Sequence, residues 1–521
     1  MFLLFFVLLF IFCLLCLSNC SFVVNLHLIF NSGIYWLINL DVDYFIVSII
    51  VMLVLCFLFV YNYTGHYFGY NLVGYELNYI ICLFVLVMGV LVLSGDFLFT
   101  LIFWEYLGVV SYFLILFYCS YLSLRSSVIT LVSSRFGDVG LFILFAINSY
   151  VFFLNNIVGL MVFFFIIITK SAGFPFISWL LEAMRAPTPV SSLVHSSTLV
   201  AAGIWFVIRY DFLFFYDNCF IFTISVLLTI FITGVCCYFF IDLKKIVALS
   251  TCNNISWCLF YLLFGDVILS LIQLISHGVS KCLLFILVGD VMSGSFGSQN
   301  VNCVYSPRLY GNWGVFSLSC VVLGLSGVPF LGVFFSKHFL LNEFNNIINV
   351  FLLVVVFLCV LLSYLYSFRL CYLINKISYS VNIGVLYVFS PSFIIYFWLF
   401  VNFFMVCLLN ESVFSSLYSC LLLLVFQFIS VIASYCFYDS YVFSLWCSSL
   451  FGCDNLVCFV YECFFKLLDI FCLFFYRWDK YCINLFIGIG NSVFNIYGLM
   501  VLNLVMIFVL FVLVFNMLIL L

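Results

Sequence analysis

The chain alternates long apolar runs with short polar marks from one end to the other. A helix needs about 20 mostly apolar residues to cross the hydrocarbon of a bilayer, and a helix satisfies its own backbone there. The pattern predicts about 15 helical spans of that length. They are placed at 1 to 18, 43 to 62, 77 to 95, 97 to 119, 126 to 150, 154 to 179, 190 to 209 and 213 to 239, then at 243 to 265, 266 to 289, 312 to 338, 346 to 373, 382 to 409, 415 to 438 and 496 to 521. The opening run MFLLFFVLLFIFCLLCLS lacks the basic start and small-residue cleavage site of a secretory signal, so it is expected to be a span. Residues 440 to 495 are different: YECFFKLLDIFCLFFYRWDKYCINLF is apolar but carries Glu462, Lys466, Asp469, Arg477, Asp479 and Lys480. Glu462 and Lys466 stand four apart, and the segment reads as an amphipathic helix on the membrane surface.

Composition agrees with an all-α polytopic membrane protein. With 68% hydrophobic and 7% charged residues, a soluble fold of this length is excluded. The net charge of −4 and the absence of any Lys/Arg run longer than two residues give no sign of a nucleic-acid partner. Most of the 25 cysteines lie singly within apolar runs, where a thiol acts as a small hydrophobe. Cys13 and Cys16 form a CxxC with no second pair or His nearby, so no metal site is expected there. Seventy-two Phe and 25 Cys beside 15 Lys plus Arg is the bias of a thymine-rich gene, as in an organellar genome.

In such a chain each ionisable group can be asked where it sits. Asp41, Asp43, Asp96, Asp211, Asp217, Lys244, Lys245 and Lys376 fall at predicted span ends, where they can snorkel to water. Glu105, Asp138, Lys170, His195, His277, Lys281 and Lys337 fall at or near span interiors. Each would cost about 3 kcal/mol facing lipid alone, so they must pair or face water. Gln273, His277 and Lys281 recur at four-residue steps and form one polar stripe. The stripe suits a proton path, or else interhelical hydrogen bonding. Lys170 stands five residues before Pro175, and Pro329 stands eight before Lys337. Proline frees backbone groups that are tolerated only where they are buried or line water, and paired interrupted spans point to a transport site at mid-membrane.

The stretch KSAGFPFISWLLEAMRAPTPVSSLVHSSTLVAAGIW, Lys170 to Trp205, resembles the signature of the antiporter-like subunits of proton-pumping NADH:quinone oxidoreductase, complex I, and within them the subunit 5 branch. FWEYLGVVSYFLI, SRFGDVG, DLKKIVALST, HGVSKCLLF and GVPFLGVFFSKHF follow the same order. The resemblance implies two inverted five-helix repeats with broken helices. Residues 97 to 209 would hold most of the first repeat and 213 to 373 the second, after N-terminal helices over 1 to 96. Extra helices over 382 to 438, a lateral helix over 440 to 495 and an anchor over 496 to 521 would follow.

By position, Glu105 matches the acid that pairs with the lysine matched by Lys170, and Asp138 matches a coupling acid. His195 matches the link between half-channels, His277 and Lys281 the central pair, and Lys337 the terminal lysine. Three departures stand out: Gln273 where relatives commonly carry His, Ser293 or Gly294 where they carry another, and His338 where an acid follows the terminal lysine.

The function so implied is proton translocation coupled to NADH:ubiquinone oxidoreduction in the mitochondrial inner membrane. The chain would sit beside other membrane-arm subunits, especially the antiporter-like subunit 4, and among lipids. No redox cofactor is expected in it, since it has neither iron–sulfur Cys spacing nor GxGxxG; FMN, iron–sulfur clusters and quinone would belong to partner chains. Two other readings remain open: a subunit of a multisubunit Na⁺/H⁺ antiporter, and a structural complex I subunit whose channel does not conduct.

Overall fold

The computed structural model describes residues 22–29, 35–150, 156–210, 220–295, 297–304, 311–328, 333–344, 350–376, 417–436, 450–487 and 506–511, with the single positions 395, 398 and 447. The expected span 1 to 18, with Cys13 and Cys16, lies outside the described residues. So do most of 382 to 409 and 496 to 521, and Asp211, Asp217 and Pro329. Among the described residues ten helices are long and apolar enough to cross a membrane, which makes the chain a multi-pass helical membrane protein.

An antiparallel hairpin comes first, β1 (Phe22–Ile29) paired with β2 (Tyr35–Val42). The apolar runs over these residues are too short to span, so the hydropathy pattern predicts no element here. The hairpin is tied down by polar groups: Asn39 donates from its backbone and side-chain nitrogens to Asp96 at 2.7 and 2.8 Å, and Asp41 pairs with Arg209.

Four spans follow in alternating directions, α1 (Tyr44–Tyr67), α2 (Leu72–Leu93), α3 (Phe97–Leu116) and α4 (Tyr121–Tyr150). Their short connections force neighbours to run antiparallel. The bundle therefore has two ends, one bearing the hairpin and the other the turn between α3 and α4.

The expected span 154 to 179 is broken into α5 (Asn156–Ser171) and α6 (Ser178–Ala183). Gly173 and Pro175 interrupt it, Ala172 takes a φ of +57°, and the Cys252 thiol donates to the freed Ala172 carbonyl at 3.1 Å. Next come α7 (Thr188–Leu193), a π-helical turn (Val194–Thr198) and α8 (Leu199–Tyr210).

The second half holds α9 (Phe220–Phe239), α10 (Leu243–Leu263) and α11 (Val267–Ser293). The expected span 312 to 338 is likewise broken, into α12 (Gly311–Ser326) and α13 (Phe334–Phe344). Gly327 turns the chain with a φ of +84°, and a Cβ there would meet the Phe334 nitrogen at 3.2 Å, so only glycine fits without strain. Two more spans follow, α14 (Val350–Lys376) and α15 (Leu417–Cys436).

Burial separates centre from rim. The most apolar stretch of α11 is 100% buried and that of α10 is 94% buried, against 22% for α15. The most enclosed helix, α11, is thus the one carrying the polar stripe.

Residues 455–521 form a second compact unit. Most of it that is described belongs to α16 (Cys453–Ile487), a 35-residue helix exposed along almost all its described length. Glu462, Lys466, Asp469, Arg477 and Lys480 fall on one face at helical spacing, and Phe464, Phe471 and Phe475 are exposed apolar residues of the same helix.

Candidate functional site: a buried line of charged and hydroxyl groups

The first cluster joins three helices. Glu105 on α3 pairs with Arg135 on α4; Arg135 also lies 3.5 Å from Asp138, one turn along, and Asp138 lies 3.7 Å from the Lys170 ammonium on α5. Charges therefore alternate along Glu105, Arg135, Asp138 and Lys170. This corrects the expected direct pairing of Glu105 with Lys170. Glu105 is partly exposed and its carboxylate is taken by Arg135, whose long side chain lies between the two acids.

Lys170 is fully buried and its ammonium sits 5.1 Å from the Trp104 ring centroid. A glycine lets the helices close around it: a Cβ at Gly137 would collide with the Thr169 hydroxyl.

His195 is buried in the π-helical turn. Such turns insert one extra residue and recur at functional sites. Here Ser196, Ser197 and Thr198 all turn their hydroxyls back to carbonyls of Ser192, Leu193 and Val194, which is how hydroxyl side chains compete with a regular helix ladder. His195 faces Trp179 at 6.4 Å between ring centroids.

His277 and Lys281 lie on the fully enclosed α11. The Lys281 ammonium donates to the Ser250 hydroxyl of α10 and lies 3.5 Å from the Val247 carbonyl. Both ring nitrogens of His277 are buried, with no hydrogen-bond partner among the described residues. Gln273, one step further along the stripe, accepts a 2.8 Å hydrogen bond from Ser336. Ser336 immediately precedes Lys337, so Gln273 links α11 to the helix of the last lysine.

Lys337 is held by neutral oxygens. Its ammonium donates to the Ser326 carbonyl at 2.6 Å and to the Ser363 hydroxyl at 2.7 Å, with the Tyr364 ring centroid 4.3 Å away. The Ser326 carbonyl is freed by the break before α13. Tyr364 and Gln427 donate to the next carbonyl, that of Gly327, at 3.1 and 3.3 Å. His338 turns instead to α15, with its Nε2 3.0 Å from the Ser419 hydroxyl.

Several participants carried little or no signal in the spacing. Arg135 sat inside the SRFGDVG motif, and its i, i+3 relation to Asp138 was the available clue. Ser250, Ser363 and the Ser326 carbonyl act through tertiary packing alone. Lys244 was expected to snorkel, yet it is 5% exposed and donates to the Ala186 carbonyl at 3.2 Å, while Lys245 does pair at the surface with Asp242 at 2.9 Å. Glu182 and Arg185 form a local pair at 3.1 Å.

Residues 94–363 match the family described as NADH:quinone oxidoreductase/Mrp antiporter, transmembrane. NADH-ubiquinone oxidoreductase chain 5 of Artemia franciscana is 32% identical over 350 residues, which are 64% of this chain and 64% of the relative. The chain therefore spans less than two thirds of that relative's length. Among solved structures, the Mrp complex from Dietzia sp. DQ12-45-1b matches with a TM-score of 0.61 at 17% identity, over 89% of this chain and 56% of the other. The membrane-bound sulfane sulfur reductase, an archaeal respiratory membrane complex, matches with a TM-score of 0.62 at 15% identity, over 83% and 90%. Both show a common fold, and the sequence match covers the stretch holding every one of the buried lysines above: the chain belongs to the NADH:quinone oxidoreductase/Mrp antiporter transmembrane family.

Proposed function

We propose that the chain is a proton-translocating membrane-arm subunit of a respiratory NADH:ubiquinone oxidoreductase, at home in the mitochondrial inner membrane. The observation that carries this reading is the alternating string Glu105, Arg135, Asp138, Lys170, which ends on a fully buried ammonium at the end of a broken helix. A string of that kind can hand on a charge displacement. If Arg135 shifts its weight from Asp138 to Glu105, the Asp138 carboxylate is freed to hold the Lys170 ammonium; if it shifts back, that hold weakens and the ammonium gives up its proton.

The proton then passes by His195 and water to His277 and Lys281, and on to Lys337. Moving one charge against ~180 mV takes about 4 kcal/mol, and removing one partner of a buried pair changes the energy by about 3–5 kcal/mol. One ion-pair rearrangement is therefore of the right size to drive one proton.

In this reading residues 97 to 209 and 213 to 373 are two inverted repeats, the spans number about 15 at ~20 residues each, and 440 to 495 lie along the membrane as a lateral helix. The redox groups, FMN, iron–sulfur clusters and quinone, sit in partner chains, and the antiporter-like subunit 4 is the neighbour. Gln273 and Ser336 serve as a fixed link in place of a titratable station, since an amide orders a proton carrier but does not hold a proton.

Native electrophoresis of solubilised membranes, with in-gel NADH dehydrogenase staining and mass spectrometry, tests the placement. The chain is expected in a large NADH-oxidising band; a smaller band without that activity would favour a Na⁺/H⁺ antiporter subunit. Within the intact complex, Lys170→Met should abolish this subunit's share of proton pumping, and an unchanged proton-to-electron ratio would leave the channel structural.

A further inference from the structure

At the end of the bundle away from the hairpin, a cavity of about 510 Å³ opens among the ends of α4, α6, α9 and α10. Its walls carry Glu182, Arg185, Asp242, Lys245 and Asp454, beside Ser178. Glu182 pairs with Arg185 and Asp242 with Lys245, which leaves Asp454 as the acid in excess. Burial raises the Asp454 carboxyl above its ordinary range, the Ser178 hydroxyl opposes this, and the Glu182 charge adds to it.

Lys244 and the Ala186 carbonyl it bonds are each next in sequence to a cavity residue, Lys245 and Arg185. Lys244 is 5% exposed, and among the described residues no carboxylate lies within the 4 Å of an ion pair. On the inner side, α10 rises about 4.5 Å from Lys244 to Val247 at 1.5 Å per residue, and the Val247 carbonyl and Ser250 hydroxyl are where the Lys281 ammonium rests.

We infer that this cavity is the aqueous mouth of the central part of the path and that Lys244 is the group that transfers protons at its floor. The inference rests on the proton-path reading above. Neutral Lys244 accepts a proton from water in the cavity at Nζ and gives one up on its inner side toward Lys281, so no other co-reactant is needed. Two consecutive lysines thus divide the work: Lys245 closes a surface pair, and Lys244 stands between bulk water and a buried station.

The test compares Lys244→Met, Lys244→Arg and Lys281→Met in the intact complex in closed vesicles, reading protons translocated per NADH oxidised. Arginine keeps the charge and the donor to Ala186 but does not release a proton. A relay role requires both Lys244 variants to lose the same share of pumping as Lys281→Met while NADH oxidation in uncoupled membranes continues. Full pumping by Lys244→Arg would overturn the inference and make Lys244 a tie to the Ala186 loop. Full pumping by Lys281→Met would instead sink the path reading itself. If Lys244→Met does not accumulate, Lys244→Arg decides alone; if neither accumulates, Lys244 is an assembly residue and the inference fails.

Discussion

Lys170 and Lys337 are both buried lysines beside a broken helix, but their ammonium groups keep different company. Lys170 has a carboxylate at 3.7 Å, behind which stand an arginine and a second acid reaching toward the surface. Lys337 has a carbonyl, a hydroxyl and an aromatic face. A charge held by another charge responds to whatever moves that partner, because Coulomb terms are long-ranged in a poorly screened interior. A charge held by fixed neutral dipoles answers chiefly to the arrival or departure of its own proton. The first lysine is thus built to be switched from outside, and the second to hold and pass on what reaches it.

The sharpest way to break this contrast is to remove the acid. Asp138→Ala should cost about 3 kcal/mol, the lower end for stranding a buried charge, seen as a lower amount of assembled complex and earlier thermal dissociation. The double variant Asp138→Asn with Lys170→Met should recover most of the assembly and none of the pumping. If Asp138→Ala alone assembles like the native chain, Lys170 is not held by that carboxylate and the two lysines are more alike than the distances indicate.

A somewhat smaller effect should follow from parting the helices that set the distance. Gly137→Ala would drive a Cβ into the Thr169 hydroxyl and to 3.2 Å from its Cβ. Overpacking of this kind costs about 1–3 kcal/mol. It should lower coupled pumping more than NADH oxidation by moving Asp138 away from Lys170. Adding Thr169→Ala, which removes the obstructing oxygen, should restore part of both; no recovery would mean that Gly137 matters for another reason.

The pieces legible in the sequence were those that local geometry sets. The stripe of Gln273, His277 and Lys281 follows from helical period alone, and the break near Pro175 from the missing amide. The partner of Glu105 was not legible, because it depends on the reach of Arg135 across helices, and no spacing along one helix encodes that. Lys244 and Lys245 look equivalent at a span start; only the Ala186 loop, folded over one of them, makes the difference. The π-helical turn at His195 was hidden too, since PVSSLVHSSTLV reads as ordinary helix until its hydroxyls are seen bonding back to the main chain. The paired strands Phe22–Ile29 and Tyr35–Val42 were not legible either, since their apolar runs are shorter than a membrane span.

The smallest expected effect sharpens the other side of the comparison. Ser363→Ala removes one of the two hydrogen-bond acceptors that the described residues offer Lys337 and leaves the Ser326 carbonyl and the Tyr364 ring in place. A hydrogen bond to a charged group is worth about 1.5–3 kcal/mol, and a remaining acceptor with a nearby π face should bring the net loss toward 1 kcal/mol. The variant should therefore assemble normally and still pump, with at most a several-fold slower proton release step, read as a lower coupled rate at an unchanged proton-to-electron ratio. Because neutral dipoles are individually replaceable, losing one weakens the site without silencing it, whereas among the described residues Lys170 has a single carboxylate, Asp138, within reach. An effect of Ser363→Ala as large as that of Asp138→Ala would show that the Lys337 oxygens act as one indivisible site, and the distinction between a switched lysine and a holding lysine would have to be given up.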